Sequence, residues 1–128
     1  MTEKIKVFVL DDEPNIARTW ALILAKAGYE VVPFNDPRVA LEAIRENPPE
    51  VLVSDVGLPG MSGIDLAMIL AKEKSRTKVI LISGQTSTED AMTYAAEQGY
   101  FFEVLPKPLG PATLLQVVEM QARGQSAG

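Results

Sequence analysis

A doubly wound α/β fold, with one parallel sheet of five strands between two layers of helices, is predicted by three observations. Short apolar runs alternate with helical patterns five times along the 128 residues. The first, third and fourth runs are almost continuously apolar, as strands covered on both faces must be. Turn-forming Gly and Pro residues punctuate the alternation at the ends of the elements, so each unit is a strand followed by a helix.

The strands are expected at Ile5 to Leu10, Glu30 to Phe34, Val51 to Ser54, Lys78 to Ser83 and Phe101 to Leu105, all rich in Val, Ile, Leu or Phe. The helices are marked by their ends. Pro14 suits a first turn, Ile16, Trp20, Ile23 and Ala27 follow at helical spacing, and Gly28 supplies a left-handed stop. Asp36-Pro37 is an N-cap followed by proline, with Ala40, Leu41 and Ile44 on one face. The third helix carries Ile64, Ala67, Met68 and Ala71. Ser87 with Asp90 forms a weak relative of a capping box, and Gly99 closes that fourth helix. The fifth begins near Pro111 and presents Leu114, Leu115, Val118 and Ala122.

Right-handed crossovers place these helices on both sides of the sheet, giving three α/β/α layers. With five strands the flavodoxin-like order 2-1-3-4-5 is expected, which makes the first and third strands neighbours at the switch point. Residues 1–123 form the domain, and the small, polar segment 124–128 is a tail or the start of a linker. The apolar stretches are broken well before the ~20 residues of a membrane span, and the N-terminus lacks signal-peptide features, so a cytoplasmic protein without membrane contact is expected.

Composition removes several chemistries. With no cysteine and no histidine there is no thiolate catalysis, no Ser-His-Asp triad, no imidazole metal ligation and no phosphohistidine within this sequence. A net charge of −5 argues against a broad nucleic-acid footprint. No direct nucleic-acid contact is expected; any such contact falls to another domain.

What remains is oxygen and ammonium chemistry at strand ends. Asp55 closes the third run, Asp11 and Asp12 follow the first, Ser83-Gly84 ends the fourth, and Lys107 follows the fifth within Pro106-Lys107-Pro108. Two carboxylates ~5 Å apart at an effective dielectric of about 20 repel by ~3 kcal/mol, so a positive group is expected between them. An all-oxygen site suits a hard cation such as Mg²⁺. Taken singly each residue has a structural explanation: the acidic pair caps the first helix, Ser83 forms a turn, and Lys107 is a solvated loop residue. Taken together they form an acidic metal site beside two donors for oxyanions.

This ordered set, with the loop Leu58-Pro59-Gly60-Met61-Ser62-Gly63 after Asp55 and with Lys107-Pro108, resembles the receiver domain of the two-component response regulator family over residues 4 to 123. The resemblance implies that Asp55 accepts a phosphoryl group. It implies Mg²⁺ bound by the side chains of Asp12 and Asp55 and the backbone carbonyl of Gly57, with Asp11 acting through water. Lys107 would pair with the acceptor and then with the phosphoryl group, Ser83 would donate its hydroxyl, and the Lys107-Pro108 bond would be cis. The implied partner is a sensor histidine kinase or histidine phosphotransfer protein, since a histidine-free chain needs an outside phosphohistidine or acyl phosphate. A homodimer or an output domain would receive the state.

One departure bears on signalling. Three residues before the lysine, where the family usually carries Tyr or Phe, stands Val104, and the segment from Gly99 to Lys107 is one residue longer than the common pattern. Phe102 shares strand parity with Val104 and stands in on that face, or else Tyr100, Phe101 and Phe102 are packing residues. Gly57 and Gln85, two positions after Asp55 and Ser83, occupy places that influence phosphoryl lifetime in the family. Glu13 is expected in the first helical turn rather than as a ligand. Two other functions use related parts: a pseudo-receiver that keeps the fold without the chemistry, and a phosphohydrolase of the haloacid dehalogenase type, whose nucleophile ends the first strand instead.

Overall fold

The computed structural model describes residues 4–84 and 88–123. Its elements run β1 (Lys6–Leu10), α1 (Pro14–Lys26), β2 (Glu30–Phe34), α2 (Pro37–Glu46), β3 (Val51–Asp55), α3 (Gly63–Lys72), β4 (Lys78–Ser83), α4 (Thr88–Glu97), β5 (Val104–Pro106) and α5 (Pro111–Ala122). All five strands are parallel, in the order β2-β1-β3-β4-β5. The expected fold and strand order are therefore those observed. The Ser87–Asp90 cap, Gln85 and segment 124–128 lie outside the described residues.

Strand parity divides the core between the two faces of the sheet. Val7, Val9, Val53 and Ile82 point to one face and pack with Trp20 and Leu24 of α1 and Leu114 and Val118 of α5. Phe8, Leu10 and Leu52 point to the other, against Leu41 and Ile44 of α2 and Leu66 and Leu70 of α3. A third cluster joins Ile64 and Met68 of α3 to Leu81 of β4 and Ala95 of α4. The nearly continuous apolar runs are the three inner strands, with every residue of β3 buried.

Several helix ends follow from local chemistry. The Asp36 carboxylate accepts the Arg38 N–H at 2.9 Å, and Pro37 begins α2 as expected. At α3 the Ser62 hydroxyl accepts the Asp65 N–H at 3.0 Å while the Asp65 carboxylate accepts the Ser62 N–H at 3.2 Å, a full capping box. Gly28 and Gly99 adopt φ of +103° and +90° after α1 and α4, the left-handed stops expected of them.

Three expectations need correcting. In α1 the buried stripe is Ala17, Trp20 and Leu24; Ile16 and Ile23 are only partly covered, and Ala27 is the exposed C-cap. The strand expected at Phe101 to Leu105 is the three-residue Val104–Pro106, and Phe101 is 83% exposed. An edge strand has one neighbour to pair with, so β-prone aromatics alone do not extend it. Phe102 thus precedes β5 rather than sharing its parity. Both edge strands carry a proline: Pro33 in β2 and Pro106 in β5. Neither interrupts the ladder, because the inward bonds are made by alternate residues such as Glu30 and Lys107.

Candidate functional site

The sheet order brings four strand ends to one rim. Asp55 is the last residue of β3, Asp11 follows the last residue of β1, Ser83 ends β4 and Lys107 follows β5. Leu10 pairs with Ser54, so Asp11 and Asp55 occupy adjoining rungs where the winding of the sheet reverses. The Asp11 N–H continues the ladder by donating to the Phe34 carbonyl at 3.1 Å, and the Lys107 N–H donates to the Ser83 carbonyl at 3.0 Å. Main-chain pairing therefore delivers these side chains to the rim.

At the centre is the Lys107 ammonium. Its Nζ lies 3.1 Å from Asp55 Oδ1 and 3.4 Å from Asp11 Oδ2, so the expected positive group between the acids belongs to the chain itself. Burial alone would lower the pKa of Lys107. The hydrogen bond and charge of Asp55, and then those of Asp11, outweigh it and raise the ammonium above its usual 10.5. Asp11 is fully buried, and burial pushes its carboxyl above the usual 3.8. The Glu13 N–H, 2.9 Å from Asp11 Oδ1, and the Lys107 charge oppose that shift, while the Asp55 charge adds to it.

Asp12 is exposed, yet Asp11, Asp12 and Asp55 each offer a carboxylate oxygen and these lie within 4.8 Å of one another. The cluster could hold a metal ion, and three carboxylates without nitrogen or sulfur ligands fit a hard divalent cation. Helix capping accounts for part of the placement of Asp11, whose carboxylate accepts the N–H of Glu13, the N-cap of α1, while the Glu13 side chain makes no cap bond of its own. Glu13 is thus one residue short of the first turn. Gly57 is half-buried in a tight turn closed by the Leu58 N–H on the Val56 carbonyl at 3.0 Å. Ser83 is buried at the same rim, 7% exposed. The Lys107-Pro108 bond is cis, as the resemblance implied.

Gly63, which sequence reasoning placed only in a loop, proves to be a contact residue. A Cβ added there would stand 2.3 Å from the Asp55 carbonyl oxygen, so only glycine lets the start of α3 close against the end of β3. The Gly63 N–H also donates to the Val56 carbonyl at 2.9 Å, and the Ser54 hydroxyl to the Asp55 carbonyl at 2.9 Å. The capping box of α3 was equally unforeseen, although Ser62 followed three residues later by Asp65 is a legible pattern.

Away from the acids, Val104 and Phe102 are half-buried against the same cluster, beside Ala91 and Met92 of α4. The Phe102 ring stacks with Tyr100 at 6.4 Å between centroids and 8° between planes. Phe102 reaches the face of Val104 through the approach to β5 rather than through strand parity. No helix of the described residues is long and apolar enough to cross a membrane.

Residues 7–119 match the sequence model of the response regulator receiver domain. The transcriptional regulatory protein KdpE of Mycobacterium tuberculosis is 35% identical over 121 residues, 94% of this chain and 52% of that protein. The DNA-binding response regulator MtrA of Mycolicibacterium smegmatis is 30% identical over 122 residues, 95% of this chain and 52% of that protein. The chain spans about half the length of these curated relatives. Their names include DNA binding and transcription, so the expectation of no direct nucleic-acid contact finds no support in them. Among solved structures, the receiver domain of the Francisella response regulator 1452 has a TM-score of 0.82 and 29% identity, covering 96% of this chain and 100% of that one. A sequence match that runs from β1 into α5, through every strand that reaches the rim, places this chain in the response regulator receiver domain family.

Proposed function

We propose that the chain is a phosphorylation-dependent switch in which Asp55 accepts a phosphoryl group from the phosphohistidine of a sensor histidine kinase or phosphotransfer protein. The observation that carries this reading is the single ammonium, Lys107, held against both Asp55 and the fully buried Asp11. As a receiver domain the chain is a signalling module, and the chemistry it performs is on itself: phosphorylation of Asp55 and its later hydrolysis.

An Asp55 carboxylate oxygen attacks phosphorus, the bond to the donor nitrogen breaks, and the imidazole leaves with the electron pair. With a small acyl phosphate the bond broken is phosphorus to oxygen. The product is an acyl phosphate on Asp55, which water hydrolyses to inorganic phosphate and the free carboxylate. Both steps depend on positioning and charge neutralisation. Asp12, Asp55 and the Gly57 carbonyl, with Asp11 through water, would hold Mg²⁺, which supplies positive charge for the phosphoryl oxygens. Lys107 shifts from the carboxylate pair to the phosphoryl group, and Ser83 donates its hydroxyl to one phosphoryl oxygen. Bound charge then biases a bistable element.

The domain takes residues 1–123, with 124–128 as tail or linker, and it works in the cytoplasm. Its state passes to an output domain, a partner protein or a second copy. The phosphohydrolase alternative is disfavoured because the nucleophile position ends β3 and not β1. Intact mass after incubation with Mg²⁺ and acetyl phosphate tests the reading. One phosphoryl adduct is expected on the unmutated chain and none on Asp55→Ala; no adduct on the unmutated chain removes the proposal and leaves a pseudo-receiver.

A further inference from the structure

Lys107 is a long, flexible side chain doing a job that needs a fixed ammonium, and about 2 kcal/mol of rotamer entropy opposes holding such a chain still. The two prolines beside it restrain its backbone but not its four-carbon stem. Two contacts act on the stem and head. Beside the stem is Gly84, where an added Cβ would lie 3.4 Å from Lys107 Cδ and 3.5 Å from its Cβ. The head lies 5.7 Å from the ring centroid of Trp20, the one tryptophan of the sequence. That is within the ~6 Å reach over which an aromatic face attracts a cation. Trp20, Gly84, Lys107 and Pro108 line one open cavity of about 540 Å³ beside the acidic rim.

Trp20 also belongs to the core, 7% exposed and packed among Val9, Leu24 and Leu114. A core role accounts for its burial but not for the ring reaching the ammonium. We propose that Trp20 is a positioning residue: its ring holds the Lys107 ammonium against Asp55, so that Trp20 sets the rate of phosphoryl transfer through Lys107. This rests on Asp55 being the phosphoacceptor. The α1 helix thereby contributes to a site whose reacting groups all come from strand ends.

The test combines a measurement on the free chain with a double-mutant cycle. In the NMR spectrum of the unliganded protein, the Lys107 ε-methylene protons should be shifted upfield by the indole ring, and the shift should vanish in Trp20→Leu. Unshifted protons overturn the proposal whatever Asp55 does. Labelling by acetyl phosphate with Mg²⁺ is then timed by intact mass in the unmutated chain, Trp20→Leu and Trp20→Phe, and again with Lys107→Ala, whose slower reaction is followed longer. Trp20→Leu should slow labelling about two- to five-fold, the equivalent of ~0.5–1 kcal/mol. Trp20→Phe, which keeps an aromatic face, should recover most of that rate and carries the test if Trp20→Leu fails to fold. In the Lys107→Ala background neither change should slow labelling further. Equal slowing in both backgrounds is the mark of packing alone and overturns the proposal. Absence of labelling on the unmutated chain with the ring shift intact defeats the phosphoacceptor reading, and this proposal with it.

Discussion

The two sides of the rim are built differently. Toward β1 and β3 the structure is tight: all five residues of β3 and six of the ten in α3 are buried, and Gly63 fits against Asp55 with no room for a methyl group. Toward β5 it is loose. The strand has three residues, none buried, and Phe101 beside it is largely exposed. The comparison teaches that the half expected to receive a phosphoryl group is held by main-chain and close-packed contacts. The half expected to report it consists of side chains with room to rearrange, and local stability tracks such packing.

The largest break in this contrast should come from glycines. Gly63→Ala drives a methyl into the Asp55 main chain, and urea denaturation should show a loss of at least about 2 kcal/mol together with slower labelling of Asp55. Gly84→Ala places its methyl at ordinary contact distance from the Lys107 stem, and the same titration should register less than about 0.5 kcal/mol. Comparable losses at the two positions would erase the distinction between the sides.

Next in size is the acid burial at β1. The folded pKa of Asp11 is raised, so the native state binds the proton more tightly than the unfolded chain, and stability falls as pH rises from 3.8 through the raised value. In the metal-free protein Asp11→Asn should therefore raise the midpoint of thermal unfolding at neutral pH, with the gain shrinking toward acid pH. A gain independent of pH would remove burial of the charge as its cause. Lys107 has the same sense in a more alkaline window, with ion pairing in place of burial as its cause: its raised pKa contributes stability that is fully present below 10.5 and lost as pH rises through the folded value.

The smallest effects concern the reporting side. Phe101→Ser should change stability by no more than about 0.5 kcal/mol, since little of that ring is buried. Amide NMR shifts with and without a phosphoryl mimic should show Phe102 responding and only weak changes along α4, β5 and α5, if Val104, standing where Tyr or Phe is expected, weakens the link from Ser83 to that surface. Strong changes on that surface with Phe102 unmoved would defeat this view.

The same contrast governs what was legible in the sequence. β1, β3 and β4 and their polar ends could be read because buried parallel strands are continuous apolar runs, and a run ending in Asp or Ser announces a rim. Pro14, Pro37 and Pro111 marked three helix starts. β5 was misplaced because aromatic residues carry strand propensity whether or not a neighbour is there to pair with them. Gly63 was hidden because its requirement arises from α3 meeting the end of β3, a contact between distant elements that no local pattern encodes. Trp20 could be read as a core residue at helical spacing, but its proximity to Lys107 depends on two segments far apart in sequence coming together.

The two edge prolines carry a consequence for self-association. On β2 the even-numbered residues bond inward to β1, as the Glu30 N–H and the Phe34 carbonyl do, so Pro33 faces the open side. On β5 the Lys107 N–H bonds inward to β4, so Pro106 faces outward as well. Each border of the sheet thus lacks a donor at a position where another chain would have to add a strand. Copies of this domain are discouraged from joining sheet to sheet into aggregates, and any functional pairing is steered toward its helices and loops.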